Sequence, residues 1–123
     1  MSKPNPKESC LIVLNPKAGA GKAKTLKEKI KTLAAEQFKD VEIAETQSRG
    51  HATAITQKGC ENGKDVIIAV GGDGTCHEVI NGMIVNDKTR SLKSVFALIP
   101  MGTGSDLQKT IATIGHGIRK NQR

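Results

Sequence analysis

Short apolar segments alternate with segments of helical periodicity along this chain, and this alternation restricts its possible folds more than any other feature. Each apolar segment has the length of one strand and is followed by residues that favour turns. The expected strands are residues 10–14, 41–45, 65–70 and 94–99. Strands that alternate with helices in this way predict an α/β domain with right-handed crossovers and a parallel sheet.

The first helical segment has the clearest pattern, because its apolar residues recur at i, i+4, i+7 and i+8 and so form one stripe along a helix. Later segments repeat this kind of spacing, and Gly63 is a plausible helix stop after the second. Helices are expected at about residues 26–34, 50–62, 76–84 and 105–112.

The length of 123 residues favours a single domain. We expect it over residues 10–114, between a disordered lead (residues 1–9) and a basic tail (residues 115–123). Phe38 and Phe96 are the only aromatic residues, so the core must consist of Ile, Val, Leu and Ala. Such a core suits parallel strands with helices on both faces. The scarcity of aromatic residues argues against a module that binds nucleic acid by base stacking.

The formal net charge is +7, and a basic surface favours anionic partners. Nucleotide phosphates, acidic lipid headgroups and nucleic acid all fit this description, and charge alone does not choose among them. A solvated helix face explains the same pattern equally well. The two basic clusters are Lys17, Lys22, Lys24, Lys27, Lys29 and Lys31, and then Arg119, Lys120 and Arg123.

Cysteine usage and hydropathy indicate a cytoplasmic protein. The three cysteines, Cys10, Cys60 and Cys76, are odd in number and show no CxxC spacing, which is typical of reduced thiols. The polar start of the chain does not resemble a signal peptide, and no apolar run approaches the roughly 18 residues of a membrane span. Any contact with an anionic membrane is therefore expected to be peripheral.

Three of the four expected strands end in glycine-rich turns, at residues 15–21, 71–75 and 100–104. In parallel sheets, ligands bind beyond the carboxyl ends of the strands. The three turns are therefore expected to meet at one edge of the sheet and to form a single site.

The turn at residues 71–75 joins a buried strand to a helix. Its glycines let the backbone approach a ligand closely, and the amides and positive dipole end of the following helix favour phosphate. Asp73 would lie near the phosphates. Its carboxylate would either hold Mg²⁺ through water or accept a proton from an attacking hydroxyl.

Two simpler interpretations of this region remain open. Thr75 followed by Glu78 fits the capping box S/T-x-x-E, in which case Glu78 serves the helix and not a substrate. Residues 71–74 also fit an ordinary turn, although a strand and a helix on either side favour a binding loop.

The first turn, residues 15–19, combines small residues with a proline-fixed bend, which suits a loop laid over a nucleotide. A plain connecting loop is the alternative. The segment is not a Walker A loop, because G-x-x-x-x-G-K-[ST] requires other residues where the chain has Pro16 and Ala23.

The third turn offers the hydroxyl of Thr103 and backbone amides. Considered alone it is a weak motif, since Ser105 or Asp106 equally suits the N-cap of the last helix. The histidines have no ligand spacing relative to the cysteines, so surface or supporting roles are favoured over metal binding for His51, His77 and His116.

Taken together, these motifs resemble the diacylglycerol kinase catalytic domain superfamily, which includes sphingosine and ceramide kinases. The resemblance covers about residues 10–110. A GGDGT motif alone is shared with NAD kinases, but the Asn-Pro loop and the Thr…Gly-His-Ala segment point to lipid kinases. The matching residues are Asn15, Pro16, Gly19, Thr46, Gly50, His51, Ala52, residues 71–75, Glu78, Val79, Asn81, Gly82, Pro100, Gly102, Thr103, Gly104 and Asp106.

The resemblance implies a phosphofructokinase-like (NAD kinase/diacylglycerol kinase-like) nucleotide-binding domain without the β-rich second domain of family members, and hence an incomplete enzyme. It implies ATP as the phosphate donor, Mg²⁺ as the cofactor and a lipid hydroxyl, of diacylglycerol or a sphingoid base, as the acceptor. Asp73 would be the catalytic residue and an indirect Mg²⁺ ligand. The implied nucleotide-site residues are Asn15, Pro16, Lys17, Ala18, Gly19, Thr46, Gly71, Gly72, Asp73, Gly74, Thr75, Glu78 and Thr103.

Two other functions remain open at this point. One is an NAD kinase-like phosphotransferase, which differs in its acceptor. The other is a non-catalytic fragment that binds nucleotide or docks on anionic membranes. The sequence leaves the acceptor lipid and homodimer formation undetermined.

Overall fold

The computed structural model of the chain describes residues 9–86, 94–101 and 106–120. Of the expected disordered lead, residues 1–9, only Ser9 lies within the described residues, and it belongs to the first strand. Strands and helices alternate as the sequence predicts, except that a short additional helix, Lys22–Thr25, precedes the first predicted one. The elements are β1 (Ser9–Leu14), α1 (Lys22–Thr25), α2 (Lys27–Ala35), β2 (Asp40–Glu45), α3 (His51–Glu61), β3 (Val66–Gly71), α4 (Asp73–Asn86), β4 (Val95–Pro100) and α5 (Leu107–Lys120).

The four strands form a parallel sheet in the order β2-β1-β3-β4, which confirms the predicted fold class. In the middle of β1, Ile12 is paired with Ile43 of β2 and with Ile68 of β3. The chain runs from β1 towards one edge of the sheet and from β3 towards the other. The direction therefore changes between β1 and β3, which is where doubly wound sheets form their ligand crevice.

Helices cover both faces of the sheet. On one face, Ile12 and Ile68 pack with residues of α1, α2 and α5 in one buried cluster. On the other face, Leu11 and Ile67 pack with residues of α3 and α4 in a second. This division follows from the strands, whose side chains point alternately to opposite faces. β3 is buried along its whole length, which explains why its sequence is apolar throughout.

β2 lies at an edge of the sheet and carries charge accordingly. Glu42 forms an ion pair with Lys64, with 3.0 Å between Glu42 Oε1 and Lys64 Nζ. Glu45 forms another with Lys27 of α2, with 2.8 Å between Glu45 Oε2 and Lys27 Nζ. The hydrogen bond from Lys27 lowers the pKa of the Glu45 carboxyl. Ion pairs near the surface contribute little to stability, but charges on an edge strand oppose pairing with a second sheet.

Two helices differ from their predicted limits. α4 begins at Asp73, three residues before the expected start, so the GGDGT turn is itself the first turn of this helix. α5 continues to Lys120 and not merely to residue 112. The residues beyond 112 pack against the rest of the protein. Ile118 is buried in the first cluster, and a Cβ on Gly115 would collide with the side chain of Gln37. The first six residues of the expected basic tail are therefore helical.

Helix ends follow the sequence signals closely. Asp106 precedes α5, and its Oδ1 accepts the backbone N–H of Lys109 at 3.3 Å, so this residue is the N-cap left open above. Gly63 follows α3 with a φ of 81°, which confirms it as the helix stop. In the described part of the chain, no helix is both long enough and apolar enough to cross a membrane.

The buried thiol of Cys10 generates the first prediction. Burial raises its pKa to about 12, although the charge of Lys64 partly opposes the effect, so the reactive thiolate is scarce at neutral pH. In the native protein, a thiol reagent such as DTNB should label at most Cys60 and Cys76, with the third thiol appearing only in denaturant. A Cys10→Ala variant should show the same native labelling and one thiol fewer when unfolded. Rapid native labelling of all three thiols would contradict this burial.

Candidate functional site

Backbone hydrogen bonds continue one residue beyond the strands and align the loops that follow. The amide of Thr46 donates to the carbonyl of Leu14 at 2.9 Å, which places the loop after β2 beside the end of β1. The amide of Asn15 donates to the carbonyl of Val70 at 3.0 Å. The amide of Met101 donates to the carbonyl of Gly71 at 3.3 Å. The carboxyl ends of all four strands therefore lie at one rim of the sheet, where the sequence predicts the turns after β1, β3 and β4 to meet.

The loop after β1 is a compact series of turns. Asn15 Oδ1 accepts the N–H of Lys17 at 3.0 Å, and the Asn15 carbonyl accepts the N–H of Ala18 at 3.0 Å. Asparagine suits this position because its side chain can hydrogen-bond to the backbone two residues later. These bonds fix the loop that the sequence expects to lie over a nucleotide.

Gly19 connects this loop to the end of β4. Its φ is 64°, and a Cβ there would lie 2.5 Å from the carbonyl oxygen of Met101. The backbone of the first loop therefore approaches the β4 end more closely than any side chain would allow. Met101 is the second residue of the third glycine-rich turn, residues 100–104. Thr103 of that turn lies outside the described residues.

The turn between β3 and α4 presents the beginning of a 14-residue helix at the rim. Gly72, Asp73 and Gly74 are exposed, whereas Thr75 is buried. By helix geometry, the first amides of α4 have no acceptor within the helix and carry its positive dipole end. A Cβ on Gly71 would lie 2.6 Å from Thr75 Oγ1, so glycine is needed where the strand ends.

Glu78 connects α4 to the loop after β2. Its Oε2 accepts the N–H of Gly50, the N-cap of α3, at 3.0 Å, and its backbone carbonyl accepts the Thr53 hydroxyl at 2.9 Å. The capping box considered above is therefore wrong: α4 begins two residues before Thr75, and Glu78 caps the neighbouring helix instead. The same loop is closed by His51, whose Nδ1 accepts the N–H of Gln47 at 3.0 Å.

These loops enclose a cavity of about 260 Å³ at the rim. Its volume lies below the about 300–1,000 Å³ typical of ligand pockets, which suits part of a nucleotide better than all of it. The lining residues are Asn15, Pro16, Lys17, Thr46, Gln47, Ser48, Arg49, Ala52, Gly74, Thr75 and Glu78.

Seven of the residues expected at the nucleotide site line this cavity, and five do not. Gly71 is buried at the strand end, while Asp73 lies next to the lining residue Gly74 on the exposed first turn of α4. The five expected residues outside the lining are Ala18, Gly19, Gly71, Gly72 and Asp73.

Four lining residues were not expected at the site: Gln47, Ser48, Arg49 and Ala52. Three of them belong to the loop after β2, of which only Thr46 was predicted to lie at the site. This loop contains a single glycine and so lacks the glycine-rich signal of the other three turns. Its location could have been inferred, since it follows a parallel strand and must emerge at the same rim as the others.

The His, Cys, Asp and Glu residues of the described part of the chain are the possible protein ligands of a metal ion. No group of three or more His, Cys, Asp or Glu residues is arranged there to hold a metal ion. Mg²⁺ does not require such a group, because it commonly keeps several waters and binds one or two carboxylates together with substrate phosphates. The exposed carboxylate of Asp73, at the start of α4, fits that role.

The contact between Gly19 and Met101 generates a stability prediction. Gly19→Ala should lower the free energy of unfolding by about 2 kcal/mol or more, because a left-handed Ala costs roughly 1–2 kcal/mol and the new Cβ also displaces a backbone carbonyl. Gly21→Ala is the matched control: its φ of 91° is also positive, but its Cβ would meet no atom within 4 Å. Urea unfolding of both variants measures the difference. Equal losses would show that the close approach to Met101 is unimportant.

Comparison with known proteins agrees with this geometry. A model of the diacylglycerol kinase catalytic domain matches residues 9–121. Human mitochondrial acylglycerol kinase is 38% identical over 102 residues, which cover 81% of this chain and 24% of that protein. Human sphingosine kinase 1 is 29% identical over 103 residues, which cover 82% and 27% of the two chains.

The solved structure of a diacylglycerol kinase from Bacillus anthracis strain Sterne superposes with a TM-score of 0.73 and 30% identity, over 94% of this chain and 44% of that one. The chain thus spans about a quarter of the length of the two human relatives and less than half of the solved one. It belongs to the diacylglycerol kinase catalytic domain family, a family of lipid kinases.

Proposed function

We propose that this chain is the ATP-binding domain of a lipid kinase that transfers phosphate to a lipid hydroxyl, and that the rim cavity holds the phosphates of ATP. The observation that carries the proposal is the convergence of two loops, after β1 and β2, and the first turn of α4, which follows β3, on one cavity. Phosphoryl transfer depends mainly on positioning and on neutralising charge, and this arrangement provides both.

Different residues of the chain would position the nucleotide and neutralise its charge. Amides in the first turn of α4, at Gly74 and Thr75, would donate hydrogen bonds to phosphate oxygens, favoured by the helix dipole. Lys17 lines the same cavity and would neutralise part of the phosphate charge. Asn15 and Thr46 would set the position of the nucleotide, since both are fixed by hydrogen bonds of the sheet.

Asp73 would hold Mg²⁺ through water, and the ion when bound would neutralise charge that develops on the phosphates. Its exposed position on the first turn of α4 supports this role. The alternative, in which Asp73 accepts the proton of the lipid hydroxyl, places the same carboxylate beside the acceptor. Both roles require that Asp73 be ionised and unobstructed at the rim.

The acceptor in this proposal is the hydroxyl of diacylglycerol or of a sphingoid base. Relatives named for diacylglycerol, acylglycerol and sphingosine support this class of acceptor. Because the chain spans less than half of each, we propose that it supplies the nucleotide site and that turnover requires further polypeptide. An NAD kinase-like function would instead require binding of NAD as an acceptor.

Contact with an anionic membrane surface is part of the same proposal. Exposed lysines crowd the helices α1 and α2, next to the loop after β1. Each basic residue near an anionic membrane contributes roughly 1 kcal/mol, so several together would hold the domain at its lipid substrate. The exposed lysines of these helices are Lys22, Lys24, Lys29 and Lys31.

Calorimetric titration tests the role of Asp73. The wild-type chain should bind ATP more tightly with Mg²⁺ than without it, and Asp73→Asn should weaken Mg²⁺-dependent binding by about 10- to 100-fold, as expected for a charged hydrogen bond. Asp40→Asn is the control, because Asp40 is an exposed carboxylate at the opposite end of the sheet. Unchanged Mg²⁺-dependent affinity in Asp73→Asn would refute the assigned role, and binding of NAD in addition to ATP would favour the alternative function.

A further inference from the structure

The rim cavity contains a second cationic side chain, that of Arg49, which belongs to the loop after β2. Arg49 and Lys17 line the cavity from two different loops, and both are exposed. Within the described residues, neither of these side chains makes a hydrogen bond or an ion pair. Among the described residues, neither cation is paired with a carboxylate, although Glu78 also lines the cavity.

The carboxylate that shares this cavity is held at its edge by a backbone hydrogen bond and keeps its negative charge. Glu78 also lines it, but its Oε2 accepts the N–H of Gly50 at 3.0 Å. No ion pair joins Glu78 to Arg49 within the described part of the chain. The charge of the guanidinium therefore remains available to a ligand.

The backbone around Arg49 is fixed from both sides. Before it, the amides of Thr46 and Gln47 donate to the Leu14 carbonyl and to His51 Nδ1. After it, the amide of Gly50 donates to Glu78, and the amide of His51 donates to the carbonyl of Ser48 at 3.1 Å. A cationic side chain on such a loop is preorganised, so binding a ligand costs little ordering of the backbone.

We infer that Arg49 is a phosphate-binding residue of this site and that it favours nucleotides with more phosphate groups. The inference rests on the proposed function, because it takes the cavity as the phosphate site. A guanidinium presents five donors in a planar fork and binds phosphate bidentately, whereas a lysine binds phosphate only as a point charge. Together with Lys17, it brackets a ligand that carries several negative charges.

The position of Arg49 predicts a selective effect. A nucleoside monophosphate has one phosphate group, whereas a triphosphate can reach Lys17, the α4 amides and Arg49 together. Arg49→Gln should therefore weaken the binding of ATP by about 10- to 100-fold, the cost expected for losing charged hydrogen bonds. Its effect on AMP should be about threefold or less.

Titration of the full chain with ATP and with AMP, at one salt concentration and with Mg²⁺ present, tests the inference. Arg49→Lys should bind ATP with intermediate affinity, because it keeps the charge but loses the fork. Lys58→Gln is the matched control, since Lys58 is an exposed cation in the last turn of α3, the helix that follows Arg49, and lies outside the cavity. It should leave both affinities unchanged.

The outcomes separate this inference from the proposed function. If the wild-type chain binds neither ATP nor AMP, the proposed function fails and the inference fails with it. If the wild-type chain binds ATP and Arg49→Gln binds it equally well, the inference alone is refuted. An equal loss for ATP and AMP, or an equal loss in Lys58→Gln, would also refute it. The circular dichroism spectrum of each variant checks that the fold is unchanged.

Discussion

The site depends on parallel strand pairing that continues just past the ends of the strands. The amides of Thr46, Asn15 and Met101 each donate to a carbonyl at or near the end of a neighbouring strand. Adjacent strands lie about 4.8 Å apart, so these bonds bring together loops that are far apart in the sequence. The first residue of each loop is positioned by the sheet and not by the loop itself. The sheet thereby fixes the positions at which the short polar loops begin.

Contacts between the loops then hold these loops together at the rim of the sheet. Gly19 packs its backbone against Met101, which joins the loop after β1 to the end of β4. Glu78 reaches from α4 to Gly50 and so joins the GGDGT helix to the loop after β2. Because these contacts form before a ligand binds, little of the binding free energy is lost in ordering the backbone of the site. This property suits a reaction that depends on holding phosphate groups in place.

The sequence predicts the part of this structure that local signals encode. Apolar runs indicate the strands and glycine-rich turns indicate the loops, so the common rim follows from the topology of parallel sheets alone. It does not predict contacts between distant residues. The carboxylate of Glu78 fits a capping box when only its neighbours are considered, yet its partner Gly50 lies 28 residues away. Arg49 was missed for the same reason, because nothing in its own segment marks it as a residue of the cavity.

The length of α5 was underestimated although its apolar residues Leu107, Ile111, Ile114 and Ile118 recur at i, i+4, i+7 and i+11 and form one stripe along the whole helix. Glycine at position 115 and basic residues near the end suggest a tail, since glycine weakens an isolated helix by roughly 1 kcal/mol relative to Ala. Packing reverses this preference: Ile118 is buried in the core, and Gly115 allows α5 to approach Gln37 closely. Neither contact can be recognised before the positions of α2 and α5 on the sheet are known.

The central claim, that two loops and the start of α4 form one phosphate site, is tested most directly by amide NMR of the isotopically labelled chain during titration with Mg²⁺-ATP. The amides of Lys17, Gln47 and Thr75, one from each of three lining segments, should shift together and yield the same dissociation constant. The amide of Val41, near the opposite end of the sheet, should not shift. Shifts confined to one segment, or different dissociation constants for the three, would contradict a single site.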